Sequence, residues 1–199
     1  MTDHTDSTSL ATLLSGATYL LCTNPDKFRL LKDELRSFSS ATDLSFDNLV
    51  NLKYLNAVLR ETLRLYPPVP VGVPRVVPEG GSVILGRWVP PETRVSIPHY
   101  ASYHSAAHFK DSEAFRPERF LGDSHYNNDV RDALQPFSFG PRNCIGQNLA
   151  MHEMRIILAT LLYNFDIELV NPNEKWLKQK ASALWIKTPL MCRLKAVSR

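Results

Sequence analysis

The chain has 199 residues, of which 44% are hydrophobic and 22% are charged, a composition typical of a globular protein that buries one core. The net charge is only +3, and Lys and Arg form no basic run, which gives nucleic-acid binding no support. No apolar stretch reaches the length of a membrane span, and the polar N-terminus is unlike a signal peptide, so no membrane segment is predicted in this chain.

Helices dominate the prediction for the first third of the chain. Residues 1–8 are polar and are predicted to be a disordered N-terminus, followed by an apolar helix over residues 9–23. An Asn-Pro-Asp run then provides a cap, a proline at the first helical position and an acidic first turn, which predicts a second helix over residues 25–38. A third helical region begins near residue 45 and stops at Pro67-Pro68, because proline disfavours helix at the preceding residue and cannot continue one.

The third helical region contains the run Glu61-Thr62-Leu63-Arg64. A glutamate and an arginine three residues apart share one helix face and can pair. For an arbitrary pair of this kind, the ordinary interpretation is a solvated surface bridge worth roughly a few tenths of a kcal/mol.

The middle of the chain alternates short apolar segments with turn residues. Gly-Gly, Gly and Pro-Pro separate four predicted strands, over residues 75–77, 82–85, 87–89 and 93–97. Three histidines follow at spacings that fit no common zinc pattern, and they are interpreted as polar surface or turn residues: His99, His104 and His108. Residues 121–135 are polar and irregular.

The last quarter of the chain combines a long helix with extended segments. Apolar residues recur at helical spacing from Ile145 onward, which predicts a helix that begins near Cys144 and ends around Tyr163. Three extended segments are predicted to form one small terminal sheet, over residues 165–170, 182–187 and 190–196.

One predicted loop contains a cysteine between two glycines and lies just before the last predicted helix. Gly140 and Gly146 flank Cys144, and their missing Cβ atoms allow the backbone to approach a bulky, flat ligand. The nearby helix N-terminus favours a thiolate, while Arg142 adds a planar cation suited to carboxylates and Phe137 adds an apolar wall. These features indicate a metal-thiolate site, although a lone cysteine is commonly an inert buried thiol.

The pattern Phe137-x-x-Gly140-x-Arg142-x-Cys144-x-Gly146 resembles the haem-binding signature of the cytochrome P-450 superfamily. Glu61-x-x-Arg64 and the run Arg116-Pro117-Glu118-Arg119-Phe120 stand where that family has its Glu-x-x-Arg and Pro-Glu-Arg-Phe elements. Residues 59–68 and 88–93 look particularly like filamentous-fungal members. From about Leu10 to the C-terminus, the order of elements is similar to the C-terminal part of the family's fold.

The resemblance implies a mainly α fold with small β-sheets (α+β), namely a truncated, proximal-haem portion of the cytochrome P-450 fold over residues 9–199. Family members are more than twice as long, and only the tail of the helix over the distal haem face is expected in this chain. Members of this kind deliver protons from an acid and an alcohol on that helix. In register, Thr8 replaces the acid and Ser9 replaces the alcohol, which makes Ser9 the candidate catalytic residue.

The resemblance also implies how haem is held. Cys144 is expected to be the axial ligand of the haem iron, where a thiolate favours cleavage of the O–O bond. Phe137, Gly140 and Gly146 belong to the same cofactor-binding loop. Arg142 and Arg75 are the candidates for charge-assisted bonds to the haem propionates, with a surface arginine as the alternative for Arg75.

A structural network is implied away from the cysteine loop. Glu61, Arg64 and Arg119 are expected to be buried together and to hold the haem-side core, with no catalytic step assigned to them. A buried charged cluster is tolerated only when each member is hydrogen-bonded.

The implied activity is that of a monooxygenase. Such members take two electrons from an NADPH-dependent reductase and insert one oxygen atom from O2 into an apolar small molecule, often in secondary-metabolite biosynthesis. Two alternatives are a catalytically inactive haem-site remnant and a P-450-type isomerase or dehydratase that needs no oxygen activation. Three widely spaced cysteines indicate a reducing compartment, so an intracellular location is expected, cytosolic for the chain as given. Family members are usually anchored in the endoplasmic reticulum through an N-terminal helix that is not expected here.

Overall fold

The computed structural model describes the backbone of residues 5–197 and the side chains of residues 9–197. The first four residues of the predicted disordered N-terminus, residues 1–4, lie outside the described part. The fold is α+β, with six α-helices in the described residues: α1 Thr5–Thr23, α2 Pro25–Leu35, α3 Phe46–Leu49, α4 Lys53–Leu65, α5 His99–Tyr103 and α6 Gln147–Asn164.

The helices differ from the prediction mainly at their ends. Helix α1 begins at Thr5, four residues before its predicted start, and α2 ends at Leu35 instead of near residue 38. The third helical region is two helices, because the chain is extended at Leu52. The Asn56 side chain stabilises this break, since its Nδ2 donates to the carbonyls of Val50 and Leu52 at 3.1 and 2.6 Å.

Eight short strands form four antiparallel pairs within the described residues. In the middle of the chain, the pairs are β1 with β4 and, nested between them, β2 with β3. Near the C-terminus, the pairs are β5 with β8 and β6 with β7. Their bounds are β1 Arg75–Val76, β2 Ser82–Ile84, β3 Arg87–Val89, β4 Arg94–Val95, β5 Phe165–Leu169, β6 Lys180–Ala181, β7 Trp185–Ile186 and β8 Cys192–Ala196.

The predicted single terminal sheet is wrong, because its middle segment is a separate hairpin. Ser182 lies in the turn between β6 and β7, where its N–H donates to the Leu184 carbonyl at 3.0 Å. Trp185 packs against the end of α4. Its Nε1 donates to the Pro67 carbonyl at 2.7 Å, and its ring stacks on Tyr66 with 4.9 Å between the ring centroids. These tertiary contacts leave 182–187 without the continuous strand that its apolar pattern predicted.

Helices α1, α2, α4 and α6 enclose one apolar core. Burying each leucine side chain contributes about 1.5–3 kcal/mol of favourable transfer free energy. Each of the four helices contributes leucines that are at most 1% exposed, among them Leu13, Leu21, Leu31, Leu35, Leu55, Leu59 and Leu158. Helix α6, which follows the cysteine loop, is therefore fixed against the helix that carries Glu61. Among residues 5–197, no helix combines the length and the apolar character needed to cross a bilayer.

Helix α4 is capped by a side chain from α2. No side chain at its own N-cap position, Leu52, accepts a hydrogen bond. Instead, the two carboxylate oxygens of Glu34 accept the N–H groups of Tyr54 and Leu55, both at 2.8 Å. A carboxylate at this position satisfies orphan donors and interacts favourably with the helix dipole, so it joins α2 to the start of α4.

We predict that Glu34→Ala lowers the free energy of unfolding by about 2 kcal/mol, because two helix N–H groups lose a charged acceptor. Urea denaturation followed by tryptophan fluorescence measures this change. The matched control is Asp33→Ala, which removes an exposed carboxylate from the neighbouring position. Equal losses in the two variants would show that the cap contributes nothing specific.

Candidate functional site

The cysteine loop is closed by one backbone hydrogen bond. The Cys144 N–H donates to the Phe137 carbonyl at 2.8 Å, and a 3-10 turn over Gly140–Arg142 lies between them. Ser138 and Gly140 adopt left-handed backbone conformations, with φ of 65° and 78°. Glycine suits the second position, since other residues are strained there. Helix α6 begins at Gln147, three residues after the cysteine and slightly later than predicted.

Cys144 is the exposed one of the three cysteines. Cys22 and Cys192 are half-buried. Burial raises the pKa of the Cys22 thiol to about 11, and it also raises the pKa of Cys192. A raised pKa disfavours the thiolate, which is the form that binds metals. Cys144 is therefore not the buried thiol that its alternative interpretation assumed, and its role as an iron ligand stays a prediction.

Arg75 ties the middle β region to the cysteine loop. Its Nη2 donates to Ser138 Oγ at 3.1 Å and approaches the Arg142 carbonyl oxygen at 3.4 Å. Strand β1 therefore contacts the loop just before the 3-10 turn and at its last residue. Arg75 and Arg142 are both exposed, so their cationic groups lie at the surface next to the cysteine loop.

Apolar side chains beside the thiol are unusually accessible. Phe139 is 81% exposed and Ile145 is 104% exposed, whereas Phe137 packs against the core. A Cβ added at Gly146 would lie 3.9 Å from Cys144 Sγ, so glycine leaves space directly beside the sulfur. An accessible thiol, an apolar surface and neighbouring guanidinium groups are the groups with which a protein can hold a thiolate-ligated haem. The residues present therefore fit this cofactor.

Glu61 and Arg64 form a completely buried pair on α4. Arg64 Nε and Nη2 donate to the two Glu61 carboxylate oxygens at 2.9 and 2.8 Å. The remaining Arg64 donors are satisfied by backbone carbonyls, with Nη1 reaching Tyr103 at 2.8 Å and Ser112 at 2.6 Å. This geometry is far from the solvated surface bridge that an arbitrary Glu-x-x-Arg would form.

Arg119 reaches the same carboxylate from the 3-10 turn Pro117–Phe120. Its Nε donates to Glu61 Oε2 at 3.0 Å, and its Nη2 donates to the Lys110 carbonyl at 2.9 Å. The backbone N–H of Arg116 adds a further bond to Glu61 Oε1 at 2.8 Å. Glu61 thus accepts hydrogen bonds from two guanidinium groups and one amide.

Asp129 is the member of this network that the sequence did not indicate. Its carboxylate pairs with Arg119 Nη1, and its other oxygen accepts the Lys110 N–H at 2.8 Å. Glu61 and Asp129 together balance the charges of Arg64 and Arg119, so the buried cluster is neutral. In the sequence, Asp129 is one of three aspartates in the irregular segment 121–135, and nothing distinguishes it from Asp123 and Asp132 as a partner for Arg119.

The other proposed polar residues lie elsewhere. Ser9 is half-buried on α1, and the side chain of Thr8, which stands in place of the family's acid, lies outside the described side chains. His99, His104 and His108 are half-buried in and after α5, and His108 Nδ1 lies 2.9 Å from the Ser102 carbonyl oxygen. Within the described residues, no three His, Cys, Asp or Glu side chains form a group that could hold a metal ion.

We predict that Asp129→Asn lowers the free energy of unfolding by about 3 kcal/mol, because it leaves the buried network with a net positive charge. Urea denaturation of both proteins measures the loss. Asp132→Asn is the matched control, since Asp132 is an exposed acid in the same segment. If the Asp129 variant were as stable as the control, the charge balance would contribute nothing to folding.

The chain is similar in sequence to known proteins over nearly its whole length. The family model described as Cytochrome P450 matches residues 4–194. Cytochrome P450 monooxygenase lcsI of Purpureocillium lilacinum is 47% identical over 97% of the chain. Cytochrome P450 monooxygenase FUM2 of Gibberella moniliformis is 52% identical over 92% of the chain. Cytochrome P450 monooxygenase astA of Talaromyces wortmannii is 49% identical over 95% of the chain.

The match covers only part of each relative. The aligned residues are 38% of the relatives lcsI and astA and 39% of FUM2. Nearly the whole chain is nevertheless included in the family match, and residues 4–194 contain both the complete cysteine loop and the Glu61 network. The chain therefore belongs to the cytochrome P450 family.

Proposed function

We propose that this chain provides the haem-binding portion of a fungal monooxygenase, with Cys144 as the axial ligand of the haem iron. The cofactor of the cytochrome P450 family is haem. The observation that carries the proposal is the exposed Cys144 thiol, which lies on a loop closed by a hydrogen bond and bordered by exposed apolar surface. The names of the similar fungal proteins, all monooxygenases, support the same reaction class.

Different residues of the chain would contact different parts of the haem. Cys144 would bind the iron, while Phe139 and Ile145 offer apolar contact to the porphyrin. Arg75 and Arg142 would neutralise the propionates through charge-assisted hydrogen bonds. Since Arg75 is already held by Ser138, its guanidinium group is positioned before haem arrives.

When bound, thiolate-ligated haem supplies the redox chemistry by which O2, two electrons and two protons convert a C–H bond into C–OH and release water. The substrate class we propose is an apolar small molecule of secondary metabolism, and the electron donor is an NADPH-dependent reductase. Ser9 is the proposed alcohol for proton delivery, because its position on α1 corresponds to the proton-delivering alcohol of such enzymes. In this role the Ser9 hydroxyl group would hold a proton and pass it on.

The haem proposal predicts a spectrum. Protein expressed with haem supplied, then reduced and treated with carbon monoxide, should show the red-shifted Soret band of a thiolate-ligated haem. Cys144→Ser should abolish this band, because an alcohol is a poor replacement for a thiolate ligand. Cys192→Ser is the control and should retain it, since that half-buried thiol lies in β8.

Two outcomes of this experiment would contradict the proposal. A chain that shows no red-shifted band under any loading condition is a haem-free remnant, as one alternative holds. A Cys144→Ser protein that keeps the band has another iron ligand. Product formation without consumption of O2 would instead support the isomerase or dehydratase alternative.

Arg75 gives a separate prediction about haem affinity. Arg75→Gln should weaken haem retention by about 10-fold, because one charge-assisted bond to a propionate and the anchor on Ser138 are lost together. Transfer of haem to an excess of apomyoglobin measures the retention. Arg87→Gln is the control, since Arg87 is also an exposed arginine of the middle β region but lies on β3. Identical rates of haem transfer in the two variants would show that Arg75 makes no propionate contact. Arg75 would then be a surface arginine, which is its alternative interpretation.

A further inference from the structure

A second candidate site lies at the end of helix α4. A cavity of about 570 Å³ is found where α1, α4 and α5 meet the hairpin of β6 and β7. We name it the aromatic pocket after three rings in its lining: Tyr100, His104 and Trp185. The residues proposed to hold haem are all among the described residues, and none of them belongs to this lining. The volume is that of a small-molecule site, for which about 300–1,000 Å³ is typical.

The three rings of the aromatic pocket are held in place. The Tyr100 ring stacks on His104 with 3.9 Å between the ring centroids, and it meets the Trp185 ring edge-on at 5.6 Å. Trp185 is fixed because its Nε1 donates to the Pro67 carbonyl at 2.7 Å. The backbone of α5 is tied to the same wall, since the Tyr100 N–H donates to the Pro70 carbonyl at 2.9 Å. The pocket therefore offers preformed ring faces and edges against which another flat ring can pack.

One polar atom of the aromatic pocket lacks a partner. Tyr66 Oη donates to Gln179 Oε1 at 2.7 Å, which fixes the side-chain amide of Gln179 in the lining. The Nε2 of this amide is buried and has no hydrogen-bond partner among residues 9–197. Buried donors in folded proteins are nearly always paired, and leaving one unpaired is costly. An oxygen atom of a bound ligand would supply the missing acceptor.

The charges around the aromatic pocket favour a neutral ligand. Glu113 and Lys178 are the acidic and basic members of the lining, so their charges cancel. Burial lowers the pKa of His104, which keeps this imidazole uncharged at neutral pH. Apolar side chains complete the wall, among them Leu20, Leu65, Pro70 and Leu177.

We propose that the aromatic pocket binds a small, neutral aromatic ligand that carries a carbonyl oxygen. The ring of the ligand would pack against Tyr100, Trp185 and the apolar wall, while its carbonyl oxygen would accept a hydrogen bond from Gln179 Nε2. Tyr100 is 40% exposed, so the ligand can enter from the solvent. This site goes beyond the proposed haem function, because it requires neither Cys144 nor iron.

Equilibrium dialysis of the full chain tests the proposal with two probes of similar shape, 2-acetylnaphthalene and 2-ethylnaphthalene. The acetyl probe should bind about 5-fold more tightly, because only this probe offers an acceptor to the Gln179 amide. Gln179→Leu should remove the difference between the probes. Ala101→Phe should abolish the binding of both, since Ala101 is an exposed residue of the lining where a phenyl ring would fill the cavity. Ala106→Phe is the matched control and should bind normally, because Ala106 is exposed and lies outside the lining.

The outcomes decide whether this pocket is the site. Saturable binding that favours the acetyl probe, is lost in the Ala101 variant and is kept in the Ala106 variant supports the proposal. Equal affinity for the two probes overturns it, because the amide donor then makes no contact with the ligand. Absence of binding, or binding that survives Ala101→Phe, also overturns it. The Ala101 and Ala106 variants alter exposed positions, so they test the proposal even if Gln179→Leu fails to fold.

A further variant distinguishes this proposal from the haem proposal. Cys144→Ser should bind the acetyl probe as tightly as the unaltered chain, although it should lack the red-shifted Soret band. Loss of probe binding in this variant would place the probe at the thiol and overturn the aromatic pocket as its site. Failure of the haem spectrum in the unaltered chain would leave the dialysis result unchanged.

Discussion

The buried carboxylate of Glu61 is the constraint on which the rest of this structure depends. It accepts hydrogen bonds from Arg64 on its own helix, from Arg119 and from the backbone of Arg116. Asp129 then balances the second arginine. A single buried charge would be prohibitively costly, whereas a neutral cluster with its donors satisfied is tolerated. The loops between α5 and the cysteine loop are thereby tied to α4, and the buried rings of Phe109 and Tyr126 pack on the same guanidinium groups.

This anchoring explains how an irregular chain segment can present a cysteine in a defined place. The network holds the beginning of the segment, and the Cys144 N–H bond to Phe137 closes its end. Arg75 then joins the loop to strand β1, which lies about seventy residues earlier in the sequence. Helix α6 begins directly after the loop, and its apolar residues pack in the leucine core. The cysteine is exposed, but the segments on both sides of it are fixed by buried contacts.

The sequence predicted the elements whose signals are local and missed those that depend on distant partners. The helix start at Pro25, the stop before Pro67 and the loop around Cys144 follow from residue types within a few positions. The pair Glu61 and Arg64 was visible as a helical spacing and the family resemblance implied its burial, but no pattern indicated the backbone carbonyls that complete Arg64. Asp129 was missed for the same reason, because an acid in a polar loop carries no sign of its partner.

The terminal strands also depend on distant packing contacts that the sequence did not indicate. The segment 182–187 is apolar enough for a strand, yet Trp185 is held by the Pro67 carbonyl and the Tyr66 ring. Propensity for a strand is worth less than these contacts, so the chain turns at Ser182 and forms a short hairpin. Tyr66 lies directly before the proline pair that ends α4. Pro67, which the sequence indicated as the end of α4, therefore also supplies the carbonyl that binds Trp185, a contact that the sequence did not indicate.

The cysteine loop has two different environments along its length. Phe137 packs against the apolar core, whereas Cys144 and Phe139 are exposed. The loop is therefore anchored where it begins and accessible at the residue that is proposed to bind iron. Because Ser138 also anchors Arg75, a change at Ser138 should act on the proposed propionate contact before it acts on the proposed iron ligand.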